Sequence, residues 1–244
     1  MKRGNNLLGN LYYPTGKAKE TAQQILEVDN PMACNVAWGC TNACQYCFIR
    51  YVKKGEMRMP KVPPFELVDL QIRDGLKPEG VFLSFSTDPF LPELEKTTNK
   101  IIELLENFRV ATLSKRGFTH IDYLWKIRNG MTIVSDSDEF SKKFEPNALP
   151  VTERIKYLRE IAEQGGYTWV SLEPFPTPNL FKQDLTKLLD EIDFVDFIVF
   201  GKWNYSTLTN DKTFYKESVD KFIKYCSEKG IRHFVKSDTL KFIK

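Results

Sequence analysis

Trp38-Gly39-Cys40-Thr41-Asn42-Ala43-Cys44-Gln45-Tyr46-Cys47 holds three of the chain's five cysteines within eight residues, with three and then two residues between them. Thiolates this close in sequence can converge on one metal centre without help from distant parts of a fold. Three thiolates bind three irons of a cubane and leave the fourth iron without a protein ligand, whereas electron-transfer clusters ordinarily carry four cysteines. An open iron can hold a substrate or a cofactor. The competing reading of the same thiols is a non-catalytic zinc site or structural cluster. Cys34 is a poor fourth ligand, because an extended strand would put it up to ~20 Å from Cys40. Cys226, in a lysine-rich helical pattern, reads as a small apolar packing residue.

Outward from the cysteines, short apolar runs alternate with helical patterns, which signals parallel βαβ units. The spacing predicts strands over 33–38, 81–86, 110–114, 132–135, 168–172, 194–200 and 233–236. Helices are predicted over 65–74, 96–107, 119–127, 151–164, 182–191 and 213–228. Ile155, Leu158 and Ile161 form one helical stripe. Gly165-Gly166 and Gly230 fall where helices should stop. Residues 17–26 read as a short helix in an N-terminal segment, 1–30, expected to wrap the rest. Gly16-Lys17 is not a phosphate loop, since Leu11 stands where the first glycine should be and Ala18 where a Ser or Thr is required. No linker divides the chain, so residues 1–244 are expected to form a single domain.

The cysteine spacing, with Tyr46 just before the last cysteine, resembles the radical S-adenosylmethionine (radical SAM) enzymes. The flanks Pro14-Thr15-Gly16-Lys17-Ala18-Lys19-Glu20, Asn35 and Gly39-Cys40 resemble the spore-photoproduct-lyase-like branch. That branch often reads P-x-G-x-A-x-E and then N-x-Y-x-G-C-x-H-x-C-x-Y-C; here Ala37 replaces the usual aromatic and Asn42 the usual histidine. The resemblance implies an α/β fold, a partial, open parallel barrel of the TIM type with six or seven βα units. It implies a 4Fe-4S cluster on Cys40, Cys44 and Cys47. S-adenosylmethionine would sit on the open iron and be cleaved to a 5′-deoxyadenosyl radical that abstracts hydrogen from a substrate. An electron donor such as flavodoxin or ferredoxin follows from the same resemblance.

Barrel enzymes keep their chemistry at the carboxyl ends of strands, and the expected strand ends here are polar. Ser86-Thr87-Asp88 closes the second strand, where the branch has a similar hydroxyl–hydroxyl–acid run. By resemblance these three residues, with Tyr46, Lys115 and Ser135, hold the cofactor. Glu173, Lys202 and Asn204 are candidates to meet substrate. The lyase has a hydrogen-donor cysteine just before its triplet; Phe85 stands there, which argues against photoproduct repair by that route. The basic run 50–61 carries five cations against one Glu with an aromatic inside it, a pattern that can track a phosphate backbone. It keeps a nucleic-acid base or nucleotide as the expected substrate, with a small molecule or a protein side chain as the rival.

Composition sets the outer limits. The chain has 244 residues, 42% hydrophobic and 27% charged, with a net charge of +3. That is a globular profile, and the charge neither demands nor excludes nucleic acid. Five cysteines, three in a metal spacing, do not make a secreted disulfide framework. No apolar run suits a signal peptide or a membrane span, so a reducing cytoplasm is expected. The two histidines, His120 and His233, sit in uninformative contexts, and histidine-based acid–base chemistry is not expected.

Overall fold

The structure is a computed structural model that describes residues 8–49, 57–117 and 127–244. Eight strands form one sheet in sequence order: β1 (Leu11–Tyr12), β2 (Met32–Cys34), β3 (Gly80–Leu83), β4 (Arg109–Ser114), β5 (Ile127–Thr132), β6 (Thr168–Phe175), β7 (Phe197–Lys202) and β8 (Arg232–Val235). β2 to β8 are parallel, and β1 adds one short antiparallel edge beside β2. The sheet is open, since β8 does not pair with β1 among the described residues. This is the open, partial barrel that the resemblance implies, with seven parallel strands from the βα units that the alternating pattern predicts.

The helices are α1 (Gly16–Leu26), α2 (Pro64–Arg73), α3 (Glu95–Leu104), α4 (Asp138–Phe144), α5 (Val151–Glu163), α6 (Leu185–Glu191), α7 (Lys212–Lys229) and α8 (Ser237–Ile243). Their starts follow local chemistry. Asp184 caps α6 by accepting from the Thr186 N–H, and Asp211 caps α7 by accepting from the Phe214 N–H, each satisfying an orphan donor. Gly230 ends α7 in the left-handed conformation.

Strand alternation sorts the core into two layers. Val81, Leu83, Val110, Val170, Leu172, Ile198 and Phe200 point outward and share a core with Ile101, Leu158, Leu188 and Phe222 of the outer helices. Ala33, Phe82, Ala111, Trp169, Phe197 and Val199 point inward and pack with Ala22, Ile25 and Leu26 of α1. Helix α1 therefore plugs the concave side of the sheet, where the sequence suggests a wrapping segment. Its carboxyl end is clamped by arginines from β4, β5 and β8. Arg109 donates to the Leu26 and Glu27 carbonyls at 3.2 and 3.0 Å, Arg128 donates to the Ile25 carbonyl and the Glu27 carboxylate, and Arg232 pairs with Glu27. Cations suit a helix carboxyl terminus.

Strand β5 departs most from the sequence reading, which places a helix up to Ile127 and a strand over 132–135; residues 119–126 of that helix lie outside the described residues. Arg128, Asn129 and Gly130 break the apolar run, yet each has a reason in the strand. Arg128 reaches α1, Asn129 is buried, and Gly130 leaves room for the Trp169 indole. A Cβ on Gly130 would lie 2.1 Å from Trp169 Cε2 and 2.4 Å from two further indole atoms. Trp169 is fully buried and has nowhere to move. Gly130→Ala is expected to cost about 1–3 kcal/mol, the scale of an overpacked core, measured by urea unfolding. A wild-type midpoint in that variant would mean the indole has slack.

Candidate active site

The three-cysteine loop leaves the sheet at the carboxyl ends of β2 and β3. Asn35 ties those ends together. Its Oδ1 accepts from Ser84 Oγ at 3.1 Å and from the Phe85 and Ser86 N–H groups at 2.9 and 3.2 Å, while its Nδ2 donates to Tyr12 Oη at 2.7 Å. Gly39 then turns the chain at φ 100°, a region cheap only for glycine, and its N–H donates to the Ser86 carbonyl at 3.0 Å. The loop lies on the carboxyl end of α4 and the segment after it. The Gln45 N–H donates to the Phe144 carbonyl at 2.8 Å, Gln45 Nε2 to the Lys143 carbonyl at 2.6 Å, and Asn147 Nδ2 to the Thr41 carbonyl at 2.9 Å. Sequence reading missed α4 and so missed this floor; Ser137, whose Oγ accepts the Glu139 N–H, was the available start signal.

Cys44 is buried, and Cys40 and Cys47 are half-buried. Burial pushes the Cys44 thiol up to about 12; Lys115 pulls it back, while Glu145, Cys40 and Cys47 push it further. Cys44 thus lies within electrostatic reach of Cys40 and of Cys47. Burial and then Asp88 push Cys40 up to about 11, against backbone N–H bonds from Asn42 and Asp88 and the charge of Lys115. Cys34 and Cys226 are fully buried elsewhere, in β2 and α7.

Ser86, Thr87 and Asp88 lie directly beside this loop. Ser86 Oγ donates to the Ala37 carbonyl at 2.5 Å. The Thr87 hydroxyl is buried with no hydrogen-bond partner among the described residues. Asp88 accepts from Asn42, Ser114, Phe90 and Lys115. The Lys115 ammonium makes no hydrogen bond or ion pair among the described residues and stands 5.6 Å from the centre of the Tyr46 ring. Burial pulls its pKa down, but Cys44, Glu145 and Cys47 outweigh that and the net shift is upward. Lys115 is therefore a cation held against the thiols.

Tyr46 packs its ring edge-on to Trp203, with centroids 5.1 Å apart. Its hydroxyl donates to Glu145, which forms a fully buried ion pair with Arg154. Arg154 also donates to the Thr132 carbonyl at 2.7 Å, the Leu149 carbonyl at 2.8 Å and Ser141 Oγ at 2.7 Å. Neither Glu145 nor Arg154 was expected at the site. A signal existed: Arg154 interrupts the apolar stripe of α5, and an arginine facing a core needs a carboxylate.

The other candidates lie at later strand ends. Ser135 is buried and its Oγ accepts the Ser137 N–H at 3.2 Å, in the turn into α4. Glu173 pairs with Lys236 at 2.8 Å, Lys202 Nζ donates to Asn204 Oδ1 at 2.9 Å, and Asn204 Nδ2 donates to Asp238 at 3.4 Å. Lys17, from the amino end of α1, joins them by pairing with Asp238 at 2.5 Å. Glu173, Lys202 and Asn204 are thus gathered at the ends of β6 and β7. Burial holds the Lys202 pKa down, Lys17 adds to that, and Asp238 and Glu173 oppose it. Most of the basic run 50–61 lies outside the described residues.

Two solved structures of spore photoproduct lyase variants match this chain across most of its length. One, with bound AdoMet and dinucleoside spore photoproduct, superposes with a TM-score of 0.64 and 16% identity over 97% of this chain and 80% of the other. The second has a TM-score of 0.65 and 15% identity over 92% of this chain and 78% of the other. The chain has the fold of these spore photoproduct lyase structures. The Streptococcus suis protein SuiB bound to S-adenosylmethionine is a more distant likeness, with a TM-score of 0.57 and 10% identity over 83% of this chain and 49% of that one. In sequence, an uncharacterized protein, ORF301, of Acidianus two-tailed virus is 25% identical over 189 residues, 68% of this chain and 63% of the viral protein. The chain thus spans less than two thirds of that relative. No family model matches.

On this fold the donor set of the loop suits a cluster. Among the described residues, no three His, Cys, Asp or Glu side chains form a cage for a single ion. A cubane asks for something else, one thiolate for each of three irons, and three thiols on one short loop, tied through Asn42 and Asp88 to the Lys115 N–H, meet that demand. Because burial raises the Cys40 and Cys44 thiols, loading metal must release protons there, and it is favoured as pH rises.

Proposed function

We propose that this chain is a radical SAM enzyme, with a 4Fe-4S cluster on Cys40, Cys44 and Cys47. The observation that carries the reading is that Asn42 of the three-cysteine loop and the Lys115 N–H bond the same Asp88 carboxylate, which seats the loop beside Lys115 at the carboxyl end of a radical SAM fold. When bound, the cluster and S-adenosylmethionine supply one-electron cleavage of a carbon–sulfur bond and a carbon radical that takes hydrogen from substrate. The protein's own tasks are positional. Lys115 offers a point charge to the cofactor carboxylate, Tyr46 and Trp203 wall the loop, and Glu173, Lys202 and Asn204 face the substrate side. An electron donor such as flavodoxin or ferredoxin and a cytoplasmic setting complete the reading. No helix among the described residues is long and apolar enough to cross a membrane.

The substrate reading is a nucleic-acid base or nucleotide, supported by likeness to a lyase solved with a dinucleoside photoproduct. A protein side chain is the second reading, supported by likeness to SuiB solved with its precursor peptide SuiA, with a TM-score of 0.58. Protein reconstituted without oxygen is expected to hold about four irons and four sulfides per chain and to yield methionine and 5′-deoxyadenosine on reduction with S-adenosylmethionine. One tightly bound zinc and no cofactor cleavage would overturn the enzyme reading. Filter binding of single- and double-stranded DNA and RNA across a salt series tests the substrate class, since phosphate contacts make affinity fall with salt.

Lys115→Ala is expected to weaken S-adenosylmethionine binding by roughly 1–3 kcal/mol, the scale of a charged hydrogen bond, with iron content unchanged. Calorimetry on the loaded protein checks it; equal affinity would remove Lys115 from the cofactor site.

A further inference from the structure

We infer that Asp88 is a positioning residue that pins the three-cysteine loop to the end of β4 without touching a ligand, and that Thr87 supplies the ligand contact of the Ser86-Thr87-Asp88 run. The inference rests on the function proposed above and divides labour within that run.

An ionised carboxylate offers about four lone-pair sites, and all four of Asp88 are engaged. Oδ1 accepts from Ser114 Oγ at 2.7 Å and the Phe90 N–H at 3.1 Å; Oδ2 accepts from Asn42 Nδ2 at 2.8 Å and the Lys115 N–H at 2.8 Å. The residue is 6% exposed. A cofactor ammonium could bond it only by displacing one of these donors. The donors come from the cysteine loop, from the end of β4 and from the turn after β3, so the carboxylate is the point where the three meet. A closed circuit reinforces it. Asn42 Oδ1 accepts from Arg116 Nε at 2.9 Å, and the Arg116 N–H donates to Ser114 Oγ at 2.8 Å. The backbone N–H groups of Asn42 and Asp88 both reach the Cys40 sulfur. Asn42 therefore has a definite task at a position where its carboxamide donates to one partner and accepts from another. Of the two hydroxyls, that of Ser86 is engaged by Ala37. That of Thr87, nine-tenths buried and without a partner among the described residues, is left to bond a ligand, and a buried polar group left unbonded is costly.

The first test uses metal-free protein and a thiol-labelling reagent. Asp88→Asn places an amide against donors that need an acceptor. It and Asn42→Ala are each expected to speed labelling of Cys40, Cys44 and Cys47 at least about tenfold, the effect of one lost charged hydrogen bond, and the two should not add. Cys34 and Cys226 should stay protected, which reports an intact fold; if Asp88→Asn exposes them, Asn42→Ala decides. Thr87→Val should label like wild type. On iron-loaded protein, Thr87→Val should weaken S-adenosylmethionine binding about tenfold, while the loaded fraction of Asp88→Asn should bind as wild type does. Unchanged labelling in Asp88→Asn, with cofactor affinity lost at full iron content, would overturn the inference and make Asp88 the ligand contact. Wild-type protein that takes up no iron would strike the proposed function instead, and the labelling result would still stand.

Discussion

Replacing any one of Cys40, Cys44 or Cys47 by alanine is expected to abolish cluster assembly, while Cys34→Ala and Cys226→Ala should leave iron content at the wild-type level. The reason lies in how few donors the site has. Three thiols for a four-iron core leave no spare ligand, and losing one exposes a second iron to solvent. The two other cysteines are not reserves. Cys34 is fully buried in β2 with its thiol facing the Gly9 carbonyl at 3.6 Å, and Cys226 is fully buried in the α7 core. Both are packed into the hydrophobic core rather than carried on the loop, so neither is placed to replace a lost ligand. Iron and sulfide analysis after anaerobic reconstitution reads the result directly. A brown, four-iron protein from Cys44→Ala would show that the ligand set is wrong.

Arg154→Ala should cost about 3–5 kcal/mol of folding stability, because it leaves the Glu145 carboxylate buried without its counter-charge. Both side chains are completely buried, and Arg154 also satisfies the Thr132 and Leu149 carbonyls. A double Glu145→Leu, Arg154→Met variant should recover much of that loss, since apolar replacement of a whole buried pair is often neutral. It should not recover the site, because Tyr46 then has no acceptor for its hydroxyl. Urea midpoints at constant slope, read beside the labelling rate of Cys44 and Cys47, separate the two effects. A loss under about 1 kcal/mol in Arg154→Ala would mean that water reaches the pair.

The parallel architecture was legible because each apolar run was bounded by a helix pattern, and the outward face of β3, β4, β6 and β7 carried it. The cysteine loop was legible because its ligands are local in sequence. What could not be read was the work of polar residues that act across the fold. Arg128 looked like a break in a strand until α1 lay on the concave face to receive it. Asp88 resembled a cofactor ligand, and its four donors come from positions 42, 90, 114 and 115, which no local pattern joins. Glu145 follows an unrecognised helix, so its meeting with Tyr46 had no signal in spacing.

The ties between α1 and α8 bear on how the protein is made. Lys17 meets Asp238 across 221 positions, and Glu20 accepts from Ser237 Oγ across 217. On the ribosome, at roughly 5–20 residues per second, α1 emerges ten seconds or more before the partners that fix its amino end. Through that interval the concave face of the nascent chain has its floor but not its far wall. The cysteine loop is already outside the exit tunnel by then, and its own docking segment, 143–147, follows long before α8. Synthesis therefore runs in an order that lets the thiols be enclosed first and the ends of β6 and β7, which meet Lys236 and Asp238, last.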